Sequence, residues 1–166
     1  MITIASILGS ERMLGRKIEG DFDFDALIRK GIPLRVVSHI KKKFGLSDKD
    51  IARIIGISSR TLSRKLKLAR TLPPKLRKTV RGKKPVRNPG EKLRRLSLVE
   101  SDRLYRFAKT VALAKEVFED ERAAMQWLTR PQFGLGEIVP IDLLKTDAGI
   151  QEVVDLLGRI EHGIPT

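Results

Sequence analysis

In the run SSRTLSRKLKLAR, from Ser58 to Arg70, two arginines fall four residues apart. On a helix Arg60 and Arg64 share a face, and a guanidinium fork matches the paired acceptors of guanine in a DNA major groove. Ser58, Ser59, Thr61 and Ser63 lie in the same first turns, where a recognition helix presents side chains to base edges. Lys65, Lys67 and Arg70 follow, at positions suited to phosphate contact. Each arginine alone is equally a solvated surface residue; the set together points to nucleic acid.

The preceding residues are those needed to position such a helix. Ser47 stands as an N-cap before Ile51, Ala52, Ile54 and Ile55, and Asp48 and Asp50 suit that end of the helix dipole. Gly56 ends the helix in the left-handed conformation, Ile57 puts an apolar group inside the turn, and Ser58 caps a second helix. Leu62 and Leu66, at i, i+4, then pack back on the first, across small Ala52. This spacing predicts a helix-turn-helix, the alternative being an ordinary helical hairpin in a core. Lys65 departs from the pattern: three residues after Leu62 an apolar side chain is usual. Its stem is expected to pack and its ammonium to reach solvent.

Net charge divides unevenly along the 166 residues. Residues 1–95 carry 26 Lys and Arg against 8 Asp and Glu, net +18; residues 96–166 carry 8 against 12, net −4. A basic front half predicts a polyanionic partner and a mildly acidic back half a different task. Cysteine is absent, which excludes disulfides and thiolate metal sites and allows a reducing cytoplasm. No apolar run approaches the roughly 20 residues of a membrane span, and the N-terminus turns from apolar to basic, the reverse of a signal peptide.

Taken in order, residues 1–20 show weak periodicity and are expected to be partly ordered at best. A short helix is predicted over Asp21 to Lys30, ending at Gly31. The next begins near Pro33 and carries the stripe Val36, Val37, Ile40 and Phe44 to Gly45. His39 reads as solvated or partly packed. Lys41, Lys42 and Lys43 are either a solvated face or phosphate contacts. Residues 21–72 thus form the helix-turn-helix unit and residues 73–95 a basic linker broken by Gly82, Pro85 and Pro89. Lys83, Lys84 and Arg87 are placed there to follow a DNA backbone without sequence choice.

The unit 96–166 opens on a capping box, Ser97-Leu98-Val99-Glu100. Leu104, Phe107, Val111, Ala114 and Phe118 keep helical spacing behind it. Asp120 caps a short helix with Ala124, Trp127 and Leu128 turned inward, and Thr146 caps a last helix buried through Ile150, Val153, Val154, Leu157 and Ile160. Between them PQFGLGEIVP is rich in glycine and apolar residues. It is either a packed cover over the bundle or an exposed binding patch. The fold expected is all-α.

Catalytic chemistry does not assemble. His39 and His162 are far apart, Glu119, Asp120 and Glu121 sit together at a helix junction, and no serine or threonine has a base partner. Gly134 and Gly136 do not open a helix after a strand, so no phosphate loop is indicated. Neither an enzyme, a metal nor a cofactor is expected.

LSLVESDRLYR, AKEVFEDERAAMQWL and PIDLLKTDAGIQEVVDLLGRIEHG, in that order, resemble the toxin-binding domain of Xre/ParS-type antitoxins. GIPLRVVSHIKKKFGLSDKDIARIIGISSRTLSRKL resembles their Xre-like helix-turn-helix. The resemblance implies an antitoxin of a type II toxin–antitoxin module, paired with a RES-domain toxin that destroys NAD+. It implies that the front unit represses its own operon by binding promoter DNA and that the back unit covers the toxin's active site. The toxin role then falls on Phe133, Leu135, Glu137, Ile138 and Val139 of the loop and on His162, Gly163, Ile164, Pro165 and Thr166 of the tail. A homodimer is expected, because a two-fold protein reads two half-sites. The alternative is a DNA-binding regulator whose back half only dimerises.

Overall fold

Five hydroxyl or carboxylate caps read from the sequence each accept a backbone N–H in the computed structural model, which describes residues 4–71 and 89–164. Ser47 Oγ accepts from Asp50 N at 3.2 Å and Ser58 Oγ from Thr61 N at 3.1 Å. Ser97 Oγ accepts from Glu100 N at 3.3 Å, Asp120 Oδ1 from Ala123 N at 2.6 Å and Thr146 Oγ1 from Gly149 N at 3.1 Å. Satisfying these otherwise orphaned amides sets where each helix begins.

The described residues are all-α. In order they form α1 (Ile4–Leu8), α2 (Glu11–Leu14), α3 (Asp21–Lys30), α4 (Leu34–Phe44), α5 (Asp48–Ile55) and α6 (Ser59–Thr71). Then come α7 (Pro89–Leu93), α8 (Leu98–Phe118), α9 (Glu121–Thr129), a 3-10 turn (Phe133–Leu135), α10 (Pro140–Leu143) and α11 (Asp147–Glu161).

α8 is the spine. Its Leu104, Phe107, Ala108, Val111 and Ala114 are fully buried. It packs against α1, α3 and α5 of the front half and against α9 and α11 of the back half. Phe107 meets Phe44 of α4 edge to face at 6.5 Å, and Tyr105 meets Phe24 of α3 at 5.0 Å. The buried side chains form a single contiguous cluster drawn from both halves. Two functions suggested by charge therefore rest on one core.

Two stretches carry more structure than periodicity indicated. Within residues 1–20, α1 and α2 bury Ile7, Leu8 and Leu14 completely or nearly so. Helices of four or five residues are too short to show a period and too short to be stable alone. They form here because α4 and α8 supply the apolar surface. Within the basic linker, α7 precedes a backbone tie to the front half: Leu34 N donates to Arg94 O at 2.8 Å and Leu96 N to Ile32 O at 2.9 Å. Gly31 makes this junction possible, since a Cβ there would collide with the Leu96 carbonyl oxygen. Buried Ser101 Oγ accepts from Ile32 N at 2.9 Å beside it.

Candidate DNA-reading face and partner-facing loop

The turn between α5 and α6 closes by a Schellman motif: Ile57 N donates to Ala52 O at 2.9 Å and Gly56 N to Arg53 O at 3.3 Å. Gly56 has φ 72°, and α8 exploits its bare Cα. Arg103 Nη1 donates to the carbonyl oxygens of Ile55 and Gly56 at 3.3 and 3.4 Å, in space that a Cβ at position 56 would occupy. Ala52 and Leu62 are buried where α5 meets α6, and Leu66 packs against the same core. The hairpin is thus held as the sequence required, with an added clasp from α8.

Fixing Leu62 inward turns the opposite face of α6 outward. Ser58, Arg60, Ser63, Arg64, Lys67 and Arg70 are exposed, while Ser59 and Thr61 are half-buried. Thr61 Oγ1 also lies 2.9 Å from Ser58 Oγ, which ties it to the cap. Arg60, Ser63, Arg64, Lys67 and Arg70 follow the i, i+3, i+4 rule and form one polar stripe. Lys83, Lys84 and Arg87 lie outside the described residues.

Lys65 is the exception. Its side chain keeps 28% exposure, but its ammonium meets both carboxylate oxygens of Glu100, each at 2.7 Å. Glu100 is only 7% exposed and also accepts from Ser97 N at 2.8 Å. An apolar residue is dispensable at position 65 because the helix is anchored there by charge instead. The ion pair binds α6 to the first turn of α8.

Burial pushes the Glu100 carboxyl up, but the Lys65 ammonium and the Ser97 hydrogen bonds outweigh it and hold the group below its ordinary range. A carboxyl lowered by folding stabilises above its unfolded value, about 4.3, and loses that contribution as pH falls through the folded value. Glu100→Gln is therefore expected to lower stability by about 2 kcal/mol at neutral pH. The gap from wild type should start to narrow as pH falls past the ordinary glutamate range and close only once pH is below the depressed folded value. Urea unfolding at neutral pH and in acid checks this, and a gap that persists undiminished in acid would show that the carboxylate charge is not responsible.

Two further ion pairs join the halves. Arg53 of α5 grips Asp142 of α10 through two nitrogens, with Nε at 3.0 Å from Oδ1. Lys43 of α4 approaches Glu121 of α9 at 3.7 Å. None of these partners could be paired from the sequence, since 35 to 89 residues separate Lys65 from Glu100 and Arg53 from Asp142. The basic run on α4 divides: Lys41 pairs with Asp48 at 2.7 Å and Lys43 with Glu121, leaving Lys42 exposed.

Asp142 follows directly on the apolar loop, which proves to be half cover and half patch. Leu135 is buried and Val139 packs on the core, whereas Phe133 is 80% and Ile138 45% exposed. The loop is closed on itself. Gln132 N donates to Ile138 O at 3.2 Å, Glu137 N to Gln132 O at 3.0 Å, and Gln132 Nε2 to Trp127 O at 2.8 Å. Closure puts Glu137, an exposed non-glycine residue, at φ 63°, a conformation that costs about 1 kcal/mol and is held by its surroundings. Trp127 packs inward against Phe118 at 5.8 Å. At the other end of α11 a second Schellman closure, Ile164 N to Arg159 O at 2.9 Å, leaves His162, Gly163 and Ile164 exposed. Pro165 and Thr166 lie outside the described residues.

Among the described residues no cluster of His, Cys, Asp or Glu is arranged to hold a metal ion, and no helix is long and apolar enough to cross a membrane. The geometry offers binding surfaces: a polar, basic helix face and an apolar loop closed by its own hydrogen bonds.

Two known families match separate segments of the chain. Residues 23–77 match the Antitoxin Xre-like helix-turn-helix domain, and residues 113–163 match the Antitoxin Xre/MbcA/ParS C-terminal toxin-binding domain. The chain is 33% identical to Antitoxin Xre of Photorhabdus laumondii over 141 residues, covering 84% of this chain and 79% of that protein. It is 32% identical to Antitoxin Xre of Yersinia enterocolitica over 138 residues, covering 82% and 77%. With Antitoxin Xre of Pseudomonas putida it shares 35% identity over 68 residues, 41% of this chain and 43% of that one. The α5–α6 hairpin falls in the first matched segment and the Phe133–Val139 loop in the second: the chain belongs to the Xre antitoxin family.

Proposed function

We propose that this antitoxin neutralises a RES-domain toxin, an NAD+-degrading enzyme, by laying the loop Phe133–Pro140 and the tail after Glu161 over the toxin's active site. We further propose that it represses its own operon as a cytoplasmic homodimer whose α6 helices read promoter DNA. On this reading the chain divides into a helix-turn-helix unit at 21–72, a basic linker at 73–95 and a toxin-binding unit at 96–166. It acts by binding and carries no catalytic step of its own.

The observation that carries the reading is Phe133. An aromatic ring 80% exposed on a loop closed by its own hydrogen bonds is a preformed anchor, and buried aromatic anchors dominate protein interfaces. It sits within the segment matching the toxin-binding domain. Co-expression with a RES-domain toxin is the test. Growth is expected with both and arrest with the toxin alone. Arrest despite abundant antitoxin would sink the proposal and favour a regulator whose back half only dimerises.

The DNA half has its own test. Arg60→Ala and Arg64→Ala should each weaken binding to the chain's own promoter by about 1–3 kcal/mol, roughly 5- to 150-fold, with little change on random duplex. Wild-type promoter affinity in both variants would move the reading surface elsewhere.

A further inference from the structure

The basic stripe of α6 does not end at Arg64. A surface depression of about 550 Å³ beside Arg60 and Arg64 shares Ser63 and Lys67 with a larger cleft, of about 930 Å³, between α6 and α4. Ser38, Lys41 and Lys42 of α4 form one wall of that cleft, and Ser63, Lys67 and Arg70 of α6 the other. The base-reading surface and the cleft are therefore continuous, and the helix linking them rises only about 1.5 Å per residue.

Charge decides what fits. Among the described residues Asp48 is the one carboxylate lining the cleft, and it is engaged by Lys41 at 2.7 Å. Lys42, Lys67 and Arg70 are exposed and form no ion pair among the described residues. Three unopposed cations on facing walls, with a serine hydroxyl on each wall, suit a linear polyanion that presents phosphate at regular intervals. The cleft's apolar members, such as Leu46 and Leu66, are buried or packed into the core and offer little to an apolar guest.

We propose that this cleft holds the sugar–phosphate backbone of DNA flanking the groove read by Arg60 and Arg64. Lys42 of α4 closes on the backbone opposite Lys67 and Arg70, and Ser38 and Ser63 donate their hydroxyl protons to phosphate oxygens. α4 thereby becomes part of the DNA-binding surface although it lies outside the α5–α6 hairpin. The proposal rests on the DNA-binding reading and goes beyond it in assigning α4 and the far end of α6 a joint role.

The test compares the full chain with Lys42→Ala, Arg70→Ala and Ser38→Glu. Each is titrated with salt on its own promoter duplex and on a random duplex of equal length. All three positions are exposed, and thermal unfolding verifies that the variants fold. Each alanine is expected to reduce the slope of log K against log salt by about 1 and to weaken both duplexes by the same factor. Ser38→Glu, which places a carboxylate in the cleft, should weaken both further. Wild-type slope and affinity in all three variants, while Arg60→Ala still loses promoter preference, would overturn the cleft and leave the DNA reading standing. A loss confined to the promoter duplex would also overturn it, because a backbone contact carries no sequence preference. If the wild-type chain binds neither duplex, the DNA reading itself fails.

Discussion

Phe107→Ala is expected to destabilise the protein by about 3–5 kcal/mol and to remove DNA binding and toxin neutralisation together. The ring is fully buried in the middle of α8, edge-on to Phe44 of α4. It lies in the span between the two family-matched segments, so neither match marks it. Truncation there would leave a cavity in the cluster that both halves share, and large-to-small changes cost more when the site cannot collapse. A domain of this size is typically stable by about 5–15 kcal/mol, so the loss is a large part of the total. Urea unfolding followed by circular dichroism should show one transition, its midpoint lowered and its slope unchanged. Two separate transitions, with only one shifted, would mean that the halves fold independently and that the shared core does not couple them.

Phe133→Ala is expected to do the opposite: leave stability within about 0.5 kcal/mol and weaken toxin binding by about 2–4 kcal/mol, roughly 30- to 1000-fold. The ring contributes almost nothing to the fold because it is 80% exposed, while Leu135, two residues on, is 8% exposed and anchors the loop. Leu135→Ala therefore serves as the contrast, lowering stability as well as neutralisation. Co-purification of tagged variants with the toxin, alongside thermal unfolding of each antitoxin alone, separates the two. Undiminished toxin capture by Phe133→Ala would show that the loop is not the main anchor and would shift attention to the tail at His162 to Ile164.

The local architecture was written in the chain. Caps at Ser47, Ser58, Ser97, Asp120 and Thr146, the turn at Gly56 and the inward stripe of Leu62 and Leu66 depend on residues within a few positions of one another. Hydrogen bonds and helical periodicity at that range are readable directly. The same holds for the outward face of α6, which follows once Leu62 is placed inward. Lys65 shows where such reasoning stops. Its anomaly was visible at position 65, but its partner, 35 residues away, was not.

What the sequence by itself determined was the helix-turn-helix, the helical character of the chain, and its basic and acidic halves. Only the tertiary structure decided which basic residues remain free. Lys65 is bound by Glu100, Lys41 by Asp48 and Lys43 by Glu121, while Lys42 stands open beside Lys67 and Arg70. It also decided that α1 and α2 are ordered, that Phe133 faces outward while Leu135 faces inward, and that α8 joins both halves in one core. The physical reason is common to all of these. Burial and ion pairing are set by neighbours distant in sequence, and short apolar or basic runs fit several such environments equally well until packing selects one.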